Sequence, residues 1–386
     1  MRKMDADVRG SYSEDLHHLS VNDLALIMLL DGCFIIHVLL KFNEDEEWEG
    51  ISNNMVTLGK NNDNDDGQEE EEDIAAGHEE DMVVLDIMGE KQIDLRVVAV
   101  KNVWGNMLYD LVKVENQIPF TIIQTLFSKL KTPGDEEINL VEIARLLLRG
   151  IHPSPYQSFA TDLPEHVHHL LHLFHSTFVP SDDCLKINSS NLQKQNIIDV
   201  EWIPSATELH LAGVKFVKKG SATNFLDISF TNGTIEIPQV MLHDDTNTLF
   251  RNLIAFEQCY YPQTKNYITA YVFFMDYMIN AAKDVEFFEL KEIFINWLGT
   301  PDHAATLIND LCHKIQDAGG SFLQGSIQCV KIYYESRWHK WRAKLMRDYF
   351  DNPWAIVSLV AALILLLLTV EQSIFAAYSY FHPPKN

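Results

Sequence analysis

A chain of 386 residues, 47% of them hydrophobic, can bury a substantial core in one large domain or two small ones. Its formal net charge of −25, with no basic, aromatic-interleaved patch in the body, excludes nucleic acid as a partner, because phosphate binding requires concentrated positive surface. The five cysteines, Cys33, Cys184, Cys259, Cys312 and Cys329, are odd in number and never form a Cys-x-x-Cys pair; they exclude a disulfide framework and a zinc ribbon and read as buried thiols in a reducing compartment.

The amino terminus has no apolar run before Leu24, and the run that follows is interrupted by Asp31, Gly32 and His37, so it does not read as a signal peptide. Residues 21–42 instead predict a core helix, with Ser20 and Asp23 at the spacing of a Ser-x-x-acid cap. Residues 43–81 then hold 16 Asp and Glu against one Lys, which accounts for 15 units of the net charge. So polar and self-repelling a stretch cannot offset the entropy of ordering. It predicts a disordered acidic insertion between the start of the helical body (1–42) and its remainder (82–351), and it lacks the ligand spacing of a calcium-binding EF-hand.

Residues 107–130 carry apolar positions at helical spacing, broken by Glu115-Asn116-Gln117 ahead of Pro119, a residue suited to the first turn of a new helix. Two helices meeting at a corner held by buried polar side chains are expected there. Another helix is predicted over 139–149. A further one, over 164–178, carries His166, His168, His169, His172 and His175. His168, His172 and His175 fall at i, i+4 and i+7, one face compatible with a metal, yet no acidic or Cys ligand follows within a turn; a partly exposed histidine face is the competing reading.

A β region follows. Leu226, Ile228 and Phe230 alternate with polar residues, Asn232-Gly233 is the preferred two-residue turn, and Ile235 and Ile237 continue the face, predicting a hairpin near 225–237 with Phe230 opposite Ile235 and Ile228 opposite Ile237. Residues 214–217 offer a third strand. Helical patterns return at 245–260, 267–282, 285–297 and 303–315, and His243-Asp244-Asp245 reads as a helix cap rather than a metal pair. The fold class is therefore mostly α (α+β), a large helical body with a small antiparallel β-hairpin element.

The strongest signal comes last. From Pro353 to Val370 about 18 residues carry no charge, enough for a helix of roughly 27 Å that matches the hydrocarbon thickness of a bilayer. Residues 352–380 are expected to form one transmembrane helix, with Trp354 near the first interface, Leu363, Leu365 and Leu367 within the span, Glu371 near the far interface and a short tail at 381–386. Arg337, Lys340, Arg342, Lys344 and Arg347 precede the span, against Lys385 alone beyond it. The positive-inside rule then places the body in the cytosol of a single-pass protein of the plasma membrane, and the same basic stretch, with Trp338 and Trp341, is expected to touch anionic lipid. In that orientation the glycosylation sequons at Asn188 and Asn232 stay empty.

No nucleophile elbow, phosphate-binding loop, dinucleotide fingerprint or zinc-protease helix is present, so no catalytic residue and no cofactor is assigned. Five segments do carry a resemblance. MLLDGCFIIHVL from Met28, LVKVENQIPFTIIQTLF from Leu111, IPSATELHLAGVKF from Ile203, the block 225–260 with IEIPQVMLHDDTNTLFRNLIAFEQC, and NPWAIVSLVAALILLLLT from Asn352 together resemble the plant family known as domain of unknown function 247. The resemblance implies a plant protein with a helical body, a C-terminal transmembrane helix and no assigned activity. Certain grass members are associated with self-incompatibility loci, which implies non-enzymatic recognition or signalling, with membrane lipid and an unidentified protein as partners. The alternative is an enzyme or metal-binding protein whose site no known motif encodes.

Overall fold

The computed structural model describes residues 2–13, 15–44, 101–131, 138–154, 163–193, 202–220, 222, 224–260, 265–313, 315, 321–347 and 353–381. From residue 45 onward the expected acidic insertion lies outside the described residues. The described chain is mostly helical with five short strands, and the body's apolar side chains form one continuous core cluster.

Helix α1 (Asp5–Gly10) precedes α2 (Val21–Glu44), which opens on the expected cap: the Ser20 hydroxyl accepts the Asp23 N–H at 3.2 Å and donates to the Asp23 carboxylate at 2.7 Å. α2 is long and apolar enough to cross a membrane by composition alone, but it buries Leu24, Met28, Ile35, Ile36, Val38 and Leu39 and packs on α4 (Phe120–Leu130) and α5 (Leu140–Leu148). Between them α3 (Lys101–Leu111) leads into the corner before Pro119, which stands at the N-cap of α4 rather than inside its first turn. Half-buried Gln117 ties that corner together, and exposed Asn116 adds one bond, from Nδ2 to the Asp110 carbonyl at 3.0 Å. Gln117 Nε2 donates to the carbonyls of Leu111 and Lys113 at 2.9 and 2.6 Å, and its Oε1 accepts the Leu171 N–H at 2.9 Å; Glu115 and Asn116 ride an exposed 3₁₀ turn.

The helix expected over 164–178 is confined to α6 (Leu170–His175). The segment before it is drawn out because the Phe120 N–H donates to the His168 carbonyl at 2.7 Å and His169, extended at φ −161°, acts as N-cap. Next come α7 (Asp182–Gln193) and α8 (Ala206–Ala212), then a sheet of β1 (Lys215–Lys218), β2 (Ser229–Thr231) and β3 (Thr234–Ile237) in the order β1-β3-β2. The hairpin takes the expected register, Phe230 facing Ile235, and Asn232 and Gly233 adopt the positive φ values, 49° and 79°, that a type I′ turn demands. The third strand forms as well, but β1 runs parallel to β3.

A second, two-stranded parallel sheet joins β4 (Val240–Leu242) to β5 (Phe294–Asn296). It corrects the helix expected over 285–297. α9 (Thr246–Cys259) and α10 (Tyr267–Met278) match expectation at their starts, but α11 (Ala282–Leu290) stops where Glu292 turns at φ 54° and the Val240 N–H bonds the Ile293 carbonyl at 2.9 Å. α10 ends early too, because buried Asp284 accepts the N–H groups of Asn280 and Ala281, both at 3.1 Å, and so starts α11 anew. Asp245 stands at the N-cap of α9 as expected, but its side chain makes no capping bond; Thr246 Oγ1 accepts the His243 N–H at 2.9 Å.

α12 (Pro301–Leu311) packs on α9, α10 and α11. α13 (Gln324–Glu335) lies along α7 at a crossing that permits no side chain at Gly325, whose Cβ would strike the Asn188 carbonyl. Asn188 is buried there: Nδ2 donates to the carbonyls of Cys184 and Ile228 at 3.0 and 3.1 Å, and Oδ1 accepts the Ser326 N–H at 3.2 Å. Of the cysteines, Cys184 is buried and Cys259 exposed, with Cys33, Cys312 and Cys329 between, so the expectation of buried thiols fails for Cys259. Two further helices, α14 (Arg337–Leu345) and α15 (Pro353–Phe381), complete the chain.

Candidate functional site

α15 runs for 29 residues, about 44 Å at 1.5 Å per residue, longer than a bilayer core. Every side chain described in it, from Val357 to Tyr378, is exposed, so this described stretch is not buried against the body. Leu363, Leu365 and Leu367 lie on this bare stretch, with Glu371 further along it; the side chain of Trp354 lies outside the described residues. Two of the hydroxyls within this stretch bond to their own helix, Thr369 Oγ1 to the Leu365 carbonyl at 2.7 Å and Ser373 Oγ to that of Thr369 at 2.8 Å, a pairing that also satisfies a polar group in an apolar surrounding.

α14 presents two sides. Towards the body, the His339 ring donates through Nδ1 to the Ala212 carbonyl at 2.8 Å; a carbonyl only accepts, so Nδ1 carries the proton. Arg342 Nη1 donates to the Leu211 carbonyl at 3.2 Å, and Tyr333 OH to that of Gly213 at 3.4 Å, while the Tyr333 ring stacks on His339 at 3.8 Å. Three side chains thus occupy the carbonyls left over at the C-terminus of α8, where the helix dipole favours a cation. Gly213, at φ 107°, makes the fit close: a Cβ there would lie 2.5 Å from Arg342 Nη1. Away from the body, Arg337, Trp338, Lys340, Trp341, Lys344 and Arg347 are exposed. Arg342 is the one member of the expected basic set that turns inward.

The histidines divide. His168 and His172 stack with ring centroids 4.8 Å apart, and His172 Nδ1 accepts the His168 N–H at 3.2 Å. His169 Nδ1 accepts the His172 N–H at 3.1 Å, capping α6. Burial, reinforced by the neighbouring imidazoles, holds His169 and His172 down to about 4. His175 points elsewhere, into the core, where its Nε2 meets Glu257 at 2.9 Å. Glu257 also accepts the N–H groups of Ile268 and Thr269, both at 2.8 Å, and the Thr269 hydroxyl at 2.6 Å, so one buried carboxylate closes the N-terminus of α10. His168, His172 and His175 therefore do not converge, and among the described residues no group of three or more His, Cys, Asp or Glu is placed to hold a metal ion.

Residues 1–368 match the family DUF247, described as "Plant protein of unknown function", a span that reaches into α15. The chain belongs to this family. Among its relatives, the UPF0481 protein At3g47200 of Arabidopsis thaliana is 25% identical over 403 residues, covering 98% of this chain and 73% of the relative. The putative UPF0481 protein At3g02645 of the same plant is 27% identical over 195 residues, covering 50% of this chain and 36% of the relative. No solved structure matches at a significant level. Within this DUF247 chain, the residues that sequence reasoning passed over are Tyr333, His339, Glu257 and Asp284. The first two were hidden in a basic, aromatic stretch that reads as surface. The carboxylates stand in ordinary amphipathic helices, and only the chain folding back brings Glu257 to α10 and Asp284 to α8.

Proposed function

We propose that this DUF247 protein is anchored in the plasma membrane by α15 and uses its cytosolic body in non-enzymatic recognition or signalling, meeting a protein partner. The observation that carries the reading is the 29-residue apolar helix whose described side chains are all exposed, preceded by exposed cations. A structural role for the buried carboxylates supports the non-enzymatic half. Glu257 is spent on four donors and Asp284 on Thr207, Asn280 and Ala281, which leaves neither free for proton transfer. The finer role implied by the resemblance is that of a pollen-side determinant in self-incompatibility; pollen lacking the chain that is still rejected as before would sink it.

The anchor is tested by Leu365→Arg. A cation near mid-span costs roughly 3 kcal/mol on insertion scales. A fluorescent fusion should shift from membrane to cytosol, and retention of the variant in carbonate-washed membranes would overturn α15 as the sole anchor.

A further inference from the structure

α14 is a helix of nine residues whose two sides have separate tasks. His339 and Arg342 bind the end of α8, as described, and Ala343 is half-buried beside them. The other side divides lengthwise. Arg337, Lys340 and Lys344 follow one another at helical spacing along one half, and Trp338 and Trp341 along the other, 65% and 55% exposed with ring centroids 5.4 Å apart. None of these three cations forms an ion pair among the described residues, although the chain as a whole carries a net charge of −25. A cationic row beside a pair of amphipathic indoles fits the headgroup layer of a bilayer, where phosphates lie beside the first methylenes of the acyl chains.

Position strengthens the match. Eight residue steps separate Leu345 from Pro353, at most about 28 Å of extended chain, so α14 is tethered close to whatever surface α15 enters. We propose that the outward face of α14 rests on the anionic headgroups of the leaflet entered by α15, Trp338 and Trp341 seated among the upper methylenes and Arg337, Lys340 and Lys344 on phosphates. The proposal rests on the membrane reading of α15. Because α14 is bonded to α8, the contact sets the body down on the leaflet in one orientation instead of leaving it on a loose tether.

The experiment uses the full chain in lipid nanodiscs, made either of phosphatidylcholine alone or with phosphatidylserine, and containing lipids brominated near the headgroup end of the acyl chain. The chain has seven tryptophans, so the signal of interest is the emission of the native chain minus that of the Trp338→Phe, Trp341→Phe double variant. In anionic discs bromination should remove most of that difference. The loss should shrink in phosphatidylcholine discs and in the Arg337→Glu, Lys340→Glu, Lys344→Glu variant. A difference signal that escapes quenching in anionic discs overturns the contact, and quenching that is equal in both lipids overturns the role of headgroup charge. Failure of the anchor is seen separately: native chain extracted by alkaline carbonate defeats α15, whereas chain that stays embedded with both indoles unquenched defeats only the contact.

Discussion

Glu257 gives two oxygens to four donors in a site closed to solvent, as Asp284 does at the start of α11. Glu257→Ala leaves His175, two backbone N–H groups and the Thr269 hydroxyl without their acceptor, and should cost on the order of 3–5 kcal/mol. Urea unfolding at constant m should show it, with Glu257→Gln losing less because one amide oxygen still accepts. His152 sets a pH dependence. Buried beside Phe178, with ring centroids 4.7 Å apart, it is pushed by burial from its ordinary 6.5 down to about 4. The unfolded chain therefore binds the proton more readily than the folded one. Its contribution is complete above pH 6.5 and declines as the pH falls towards 4, by roughly 3 kcal/mol at about 1.4 kcal/mol per pH unit. His169 and His172, also lowered, act in the same sense. The check is the stability of the native chain and of His152→Phe between pH 7 and 4, where the variant's curve should be flatter.

At the scale of elements, local chemistry was legible wherever it is self-contained. Ser20 and Asp23 cap α2, Asn232-Gly233 turns the hairpin, and the run of leucines makes α15, each needing only its neighbours in sequence. Elements whose limits depend on distant partners were not legible. Residues 294–296 look helical in isolation and become β5 because β4 lies alongside; residues 164–169 are drawn out by Phe120; β1 joins β3 in a direction that no pattern in 214–217 specifies. Of the candidate site, the long apolar helix and the exposed cations before it were readable, whereas the inward turn of Arg342 required the end of α8. The α7–α13 crossing makes a prediction at this scale. Gly325→Ala must push the two backbones apart at Asn188, and should lower stability by about 1–3 kcal/mol, read as a fall in Tm.

For the whole molecule, the two sequons differ in a way the sequence conceals. Asn232 stands exposed on the hairpin turn, whereas the amide of Asn188 is consumed by bonds at the heart of the α7–α13 contact. A glycan on Asn188 and the native packing exclude each other. With a cytosolic body neither site is modified. If the chain is instead directed into the secretory pathway by an added signal peptide, the folded product should carry a single glycan, lost in Asn232→Gln; a second glycan on protease-resistant protein would contradict the burial of Asn188.

The parallel pairing of β1 with β3 also orders events in time. A parallel partner cannot be reached by a tight turn, so the β2-β3 hairpin, closing in microseconds, must exist before β1 has an edge to join. Tyr333, which lies over Gly233 at the hairpin turn, is encoded about 100 residues downstream of it, a delay of roughly 5–20 s at ribosomal speed. For that interval the nascent sheet waits without its cover, and the cover arrives just ahead of α15. Assembly of the body and emergence of α15 are thus nearly simultaneous, and a chaperone that shields the emerging α15 would attend the last folding step as well.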